Sequence, residues 1–429
     1  MTGRLCSAWH AHFGCGAALL PALLLSGVLA GPAIAQEAAP SPAPHGPALL
    51  AEPGFMTSAL DWASRFSERD DDDGKEGFFP KLGGMITGAG WLSVGPGYRA
   101  RVFNDQAVID AFAQASWRGY LRADASFEFP LLLDGRLAVG TEGLWQDSTQ
   151  VNYFGIGPDT SADLRSQYRL QTLNVVGYAR YRPERWLAFS GRFGWLDGPS
   201  VSSATGPFNR DFFDAQATFP DDPAMALTEK PQFLHGEAAV TVDTRDHPGH
   251  PTGGALYRAS AGLYADRTLD AFSFRRYELE GAQFIPLFDR AWIIALHGWG
   301  AFSDVEAGQA VPFYLLPGLG GANTLRGYPN YRFHDRHLLV ASAESRWPLF
   351  EHIDAALFVD SGTVASRAED LGFDKTAYGL GFRVHSHDAT MARVDAARSR
   401  EGWQLLFRLN DPFNISRVTR WTAAVPFVP

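Results

Sequence analysis

The stretch Leu187-Ala188-Phe189-Ser190-Gly191-Arg192-Phe193-Gly194-Trp195 decides the fold. At a period of two, Leu187, Phe189, Phe193 and Trp195 share one face with Gly191 between them, and Ala188, Ser190, Arg192 and Gly194 share the other. An antiparallel sheet over a soluble core also alternates. Here, though, the apolar face ends in aromatics and the opposite face carries arginine. The pattern recurs. Leu173, Val175, Ala179 and Tyr181 oppose Asn174, Tyr178 and Arg180. Tyr257, Ala259, Ala261 and Leu263 oppose Arg258 and Ser260, and Tyr277 and Leu279 oppose Glu278 and Glu280. Such strands have lipid outside and a wet interior. In lipid every backbone N–H and C=O needs a partner, so the sheet must close into a barrel.

Strands are expected near 85–93, 97–104, 107–117, 120–129, 135–146, 168–182, 185–196, 233–243, 254–265, 274–286, 290–302, 337–348, 353–363, 376–386, 390–398 and 402–410. That is about sixteen, an even number, which leaves both chain ends in the periplasm. The connections after odd strands then face outward and include the long ones near 147–167, 197–232 and 303–336. Long outside and short inside is the rule for outer-membrane barrels. The fold class is therefore all-β, a transmembrane antiparallel barrel over residues 82–413.

Composition agrees. The 429 residues are 46% hydrophobic, 13% aromatic and 20% charged, which excludes a disordered chain. A net charge of −10 gives no basic excess for a nucleic-acid partner. Past residue 30 no apolar run is long enough for membrane helices. Arg4, the apolar stretch Gly16–Ala30 and Ala33-Ile34-Ala35 have the parts of a secretory signal, with cleavage expected after Ala35. Cys15 precedes the apolar core, which argues against a lipoprotein site, and with Cys6 it would be lost on cleavage. Residues 36–81 read as a periplasmic linker, first rich in Pro and Ala, with one short helix conceivable over Phe55–Phe66. In the acidic run Asp70–Asp73, aligning Gly74 as the turn glycine of a calcium loop puts Arg69 and Pro80 at ligand positions, so the run reads as a solvated linker.

The stretch Leu316-Pro317-Gly318-Leu319-Gly320-Gly321-Ala322-Asn323-Thr324-Leu325-Arg326-Gly327-Tyr328 lies in the sixth outer connection. It resembles the signature loop of the BamA/TamA superfamily, or bacterial surface antigen family, whose [VL]-R-G-[FY] tetrapeptide is matched by Leu325, Arg326, Gly327 and Tyr328. Ala343-Glu344-Ser345-Arg346-Trp347-Pro348 resembles the family's twelfth strand, and Phe358-Val359-Asp360-Ser361-Gly362-Thr363-Val364 its thirteenth. Arg398–Phe407 resembles the last hairpin, and Asn152–Gly157 and Asp243–Asp246 are also reminiscent of the family.

The resemblance implies that this long loop folds into the barrel and that Arg326 docks on acidic groups of the inner wall. Glu344 and Asp360 are the expected partners, singly or together. A guanidinium fork suits carboxylates bidentately. Gly327 would allow a tight backbone and Tyr328 could wedge the loop. The resemblance also implies a weak closure between first and last strands, which the glycines Gly83, Gly84, Gly88 and Gly90 would suit; close packing explains them equally well. Trp403, Leu405, Phe407, Leu409 and Phe413 would be the barrel's own insertion signal in the last strand. Such signals usually end the chain, whereas residues 414–429 form a C-terminal extension here. Between Ala35 and the first strand there is no room for the client-handling periplasmic domains of assembly members, so the resemblance does not carry that activity.

Other chemistry is mostly missing from the sequence. There is no G-x-S-x-G, H-E-x-x-H or phosphate loop. His247 with His250, and His385 with His387, sit at strand ends or turns with no evident third ligand, so no metal, cofactor or catalytic residue is expected. Three function classes stay open. One is an assembly or translocation barrel working on outer-membrane lipid and client proteins or lipids. Another is a plugged binding or structural barrel, which could depend on a separate periplasmic partner. The least favoured is a pore or enzyme.

Overall fold

In the computed structural model the described residues are 48–50, 76–86, 89–207, 212–386, 389–409, 411–413, 421–423 and 425–427. The expected signal peptide, the Phe55–Phe66 helix and the acidic run lie outside them.

The long strands are β1 (Gly77–Ile86), β2 (Ala89–Val102), β3 (Ala107–Ser116), β4 (Leu121–Leu131), β5 (Leu137–Tyr153), β6 (Ser166–Glu184), β7 (Leu187–Ser203) and β8 (Phe233–Asp243). They continue as β9 (Gly254–Asp266), β10 (Phe274–Leu287), β11 (Trp292–Asp304), β12 (His337–Phe350), β13 (Ile353–Ala365), β14 (Lys375–His385), β15 (Thr390–Ser399) and β16 (Gly402–Arg408). Each pairs antiparallel with the next. These sixteen, with the two-residue strand Phe213–Asp214 beside β6, make up the 17-stranded sheet. Odd-to-even connections include 154–165, 204–232 and 305–336, whereas even-to-odd ones are as short as 185–186 and 351–352. One rim is therefore built of loops and the other of turns.

The period-two faces separate as the sequence requires. Phe189, Phe193, Trp195, Val175, Tyr257, Leu263, Tyr277 and Leu279 are exposed on the outside. Asn174, Tyr178, Arg258, Glu278 and Glu280 are buried in the interior. Most boundaries lie within a few residues of expectation, but the first hairpin does not. Residues 85–93 and 97–104 were read as its strands, yet the structure has 77–86 and 89–102. The barrel thus begins at Gly77, inside the stretch assigned to the linker. Proline and glycine misled the reading. Pro80 and Pro96 stand opposite one another inside the ladder rather than in a turn. A Cβ on Gly95 would lie 1.7 Å from the Ala113 carbonyl oxygen, so its glycine serves close strand approach.

Candidate functional site

The 305–336 loop enters the barrel from the loop rim. It is anchored by an apolar cluster in which Leu319, Leu325, Tyr328 and Phe333 of the loop pack on Trp299, Leu338, Val340, Val364 and Ala377 of the wall. Tyr328 is buried with its ring edge against Phe333. The turn is closed by Tyr328 N donating to Leu325 O at 3.0 Å and Gly321 N donating to Tyr328 O at 3.0 Å. Gly327 is needed for approach, not for an unusual backbone angle. A Cβ there would lie 2.7 Å from Ala377 Cβ and 2.9 Å from Ser399 Cβ. Its carbonyl accepts a 2.7 Å hydrogen bond from Ser399 Oγ on β15.

This docking delivers Arg326, 1% exposed, to the inner wall. Its Nε and Nη2 donate to the two Asp360 oxygens at 2.7 and 2.6 Å. Its backbone N–H donates to the same carboxylate at 3.2 Å. Its Nη1 donates to Glu344 Oε1. The Phe358 ring lies under the guanidinium, 3.5 Å from its centre. Burial alone would lower the Arg326 pKa, but Asp360 and Glu344 reverse this and raise it above its usual value.

The loop arginine is one member of a larger buried set. Glu344 also accepts from Arg346 Nε at 2.7 Å and Arg383 Nη2 at 2.8 Å. Arg383 Nη1 reaches Asp395 at 2.6 Å, and Arg393 Nη1 reaches the other Asp395 oxygen at 2.9 Å. Arg346 Nη1 reaches Asp411 at 2.9 Å. Arg393 Nη2 returns to the loop, donating to Ala322 O at 2.8 Å and Asn323 Oδ1 at 2.9 Å. Arg326, Arg346, Arg383 and Arg393 thus face Glu344, Asp360, Asp395 and Asp411, four charges of each sign. Buried charges are tolerable only when paired in this way. Arg332 adds a second tether, donating to Glu401 at 2.8 Å in the last hairpin and to Thr160 Oγ1 at 2.8 Å.

A second occupant shares the lumen. The C-terminal segment turns back inside, with Ala423 and Val425 in the apolar cluster under the outer loops and Phe427 against Trp299. The Trp421 ring stacks on Tyr178 at 4.1 Å. Arg192 Nη1 donates to Trp421 O at 2.7 Å and Thr422 O at 2.8 Å. Asn174 Oδ1 accepts from Ala423 N at 3.1 Å. Phe427 N donates to Tyr314 O of the docked loop at 2.9 Å, joining loop and tail.

The last strand is seven residues long and runs in register with β15 over seven pairs. Trp403, Leu405, Phe407 and Leu409 face outward, Leu405 77% exposed. Phe413 does not belong to that row. It is 3% exposed, turned into the lumen against Phe284 and His297. The chain leaves the strand after Arg408, and Asp411 draws it inward by binding Arg346.

The domain model of the Omp85 superfamily matches residues 120–415. The chain belongs to the Omp85 superfamily. The structure is similar to BamA from Haemophilus ducreyi lacking POTRA domains 1–3, at 15% identity and TM-score 0.58, covering 78% of this chain and 70% of that one. It is also similar to CdiB from Escherichia coli, at 10% identity and TM-score 0.51, covering 77% of this chain and 61% of that one. A comparison with curated protein sequences gives no match. The structural likenesses establish the barrel fold, and membership of the Omp85 superfamily points to the outer membrane. Sequence reasoning did not find Arg383, Arg393, Asp395 and Asp411 as members of the buried charge set. Strand alternation was the available signal: Arg393 and Asp395 are two residues apart on one face of β15.

Proposed function

We propose that this Omp85 barrel acts in inserting or passing proteins or lipids at the outer membrane, and that the route lies along the junction of first and last strands rather than through the lumen. The filled lumen carries this reading. The docked 305–336 loop and the C-terminal segment both occupy the interior. A plugged barrel supports no open-pore role. The short β16 and the glycines Gly83 and Gly84 of β1 suit a closure held by few side chains. Targeting would use the N-terminal signal, with removal after Ala35.

The test is reconstitution in liposomes with an unfolded client barrel, following the heat-sensitive gel shift of folded client. Faster folding than in empty liposomes, abolished by Arg326→Ala, supports the reading. Folding no faster than in empty liposomes, from a barrel that is itself folded, refutes autonomous insertion. That outcome would leave the second reading, a plugged binding barrel that needs a separate periplasmic partner. The C-terminal segment held by Arg192, Asn174 and Tyr178 favours it, because this wall already binds a peptide.

A further inference from the structure

One histidine of each sequence-adjacent pair meets the other across the fold. His387 lies outside the described residues. His250 and His385, from opposite parts of the sequence, stack with ring centres 4.1 Å apart. Between them stands Asp354, the third group that the sequence did not reveal. We propose that His250, Asp354 and His385 bind one divalent ion of the zinc class, pinning the 244–253 turn across the turn rim of the barrel.

Placement comes first. His250 is in the turn joining β8 to β9, Asp354 opens β13 and His385 ends β14. The turn reaches this wall through a bridge of Gly249 with Ala389, in which Thr390 N donates to Gly249 O at 3.0 Å. It is held in shape from within, since Asp246 accepts from the backbone of His247 at 2.9 Å and of Thr252 at 3.0 Å. The turn between β8 and β9 thus meets the ends of β13 and β14, with three buried polar side chains at the contact.

The contact sets a buried carboxylate between two imidazoles without an aligned hydrogen bond to either of its oxygens. His250 Nε2 lies 3.1 Å from Asp354 Oδ2, and His385 Nε2 lies 3.4 Å from Asp354 Oδ1. Neither carboxylate oxygen accepts an aligned hydrogen bond, although Asp354 is 1% exposed. Buried polar groups in native proteins are almost always satisfied, and an exception calls for an ion or water. His385 Nδ1 faces the Ser386 carbonyl at 3.1 Å. A carbonyl only accepts, so Nδ1 carries the hydrogen, and in the neutral ring the Nε2 lone pair points at a carboxylate. His250 Nδ1 is likewise engaged, 2.8 Å from Thr390 Oγ1. A histidine fixed through one nitrogen and offering the other is the usual state of a metal ligand. Bonds of about 2.0–2.1 Å at tetrahedral angles put neighbouring ligand atoms about 3.3 Å apart, close to both N–O separations. The rings are within 12° of parallel, so sharing one ion asks their Nε2 edges to tilt together. Two imidazoles and one carboxylate select zinc over calcium or magnesium, and leave a fourth position for water.

The experiment uses full-length, tag-free protein refolded in detergent and stripped with chelator. Cobalt is titrated as the spectroscopic stand-in for zinc, and bound metal is counted by mass spectrometry. The expected result is one equivalent with tetrahedral cobalt bands, displaced by zinc. Zinc should also raise the temperature of the gel-mobility shift. Asp354→Asn and His385→Gln should weaken binding at least about tenfold, while His247→Gln should not. Absence of tetrahedral bands in the wild-type titration overturns the proposal. So does equal binding by the folded Asp354→Asn and His385→Gln proteins. Should either variant fail to fold, the wild-type titration decides alone.

Discussion

Asp360 and Glu344 both hold Arg326, but they are held differently themselves, and this predicts opposite outcomes when each is neutralised beside Arg326→Ala. Among the described residues, the hydrogen bonds to the Asp360 carboxylate come from Arg326: its Nε, Nη2 and backbone N–H. Glu344 also binds Arg346 and Arg383. Arg326→Ala alone therefore leaves Asp360 as a buried charge with no guanidinium, a loss of about 3–5 kcal/mol. Loss of the Phe358 contact adds about 0.5–2 kcal/mol. Adding Asp360→Asn removes the stranded charge and should recover about 1–3 kcal/mol, the range of coupling between contacting residues. Adding Glu344→Gln instead leaves Arg346 and Arg383 without their shared carboxylate and should cost a further 2 kcal/mol or so. The assay is urea unfolding in lipid vesicles, read by tryptophan fluorescence and gel mobility, for Arg326→Ala, the two double variants and wild type. If Arg326→Ala with Asp360→Asn is less stable than Arg326→Ala alone, Asp360 is not the charge that Arg326 neutralises, and the reasoning fails.

Three further outcomes follow from the same geometry. Gly327→Ala forces the loop off Ala377 and Ser399 and should cost about 1–3 kcal/mol, visible as faster proteolysis of the 305–336 loop. His334 of this loop is buried, and burial pushes its pKa down to about 4. Its neutral ring favours the docked loop fully above pH ~6.5, and that stability falls as pH drops towards about 4, by about 3 kcal/mol in all. Urea midpoints at pH 7 and 4.5 should show the loss, and His334→Phe should flatten it. Removing residues 414–429 should raise single-channel conductance in planar bilayers several-fold over wild type; unchanged conductance would mean that the tail does not obstruct the lumen.

The strand pattern was legible because lipid and lumen impose opposite demands on alternate residues, and no other environment puts Phe193 beside Arg192 so regularly. The first hairpin was not, because its signals conflict. Pro80, Gly95 and Pro96 carry turn chemistry but sit inside the ladder, where close approach to Ala113 sets the residue type. Arg326 with Glu344, Asp360 or both was expected through the family resemblance, with strand parity indicating which carboxylates face inward. Arg383, Arg393 and Asp411 were not, because charge complementarity across a lumen depends on which strands face each other, and that is a property of closure. Phe413 shows the converse failure. It continues the apolar period of β16, but Asp411 bound to Arg346 turns the chain inward two residues earlier. His250, Asp354 and His385 come from three different turn-rim segments, so their meeting is not legible from adjacency in sequence.

Loop and tail fill one lumen, but they are held by different physics. Withdrawing the loop strands the Asp360 carboxylate, which among the described residues is held by Arg326. The described tail residues, 421–423 and 425–427, carry no charged side chain, so their withdrawal breaks no ion pair. Arg192, which binds the Trp421 and Thr422 carbonyls, keeps its 2.8 Å ion pair with Glu237, and Glu237 keeps Arg258. The tail's other ties are the Trp421 stack on Tyr178, Phe427 packed against Trp299 and beneath the Arg276 guanidinium, and hydrogen bonds with Glu142, Gln146, Asn174 and Tyr314. Stacking of that kind is worth about 0.5–1.5 kcal/mol beyond the area buried. Arg192 binds backbone carbonyls of the tail rather than side chains, so this contact is tolerant of tail sequence. The interior is thus held by two kinds of contact: ion pairs from the charge cluster on β12 to β15 fix the loop, whereas stacking, apolar packing and hydrogen bonds, many of them to β6 and β7, hold the described tail residues.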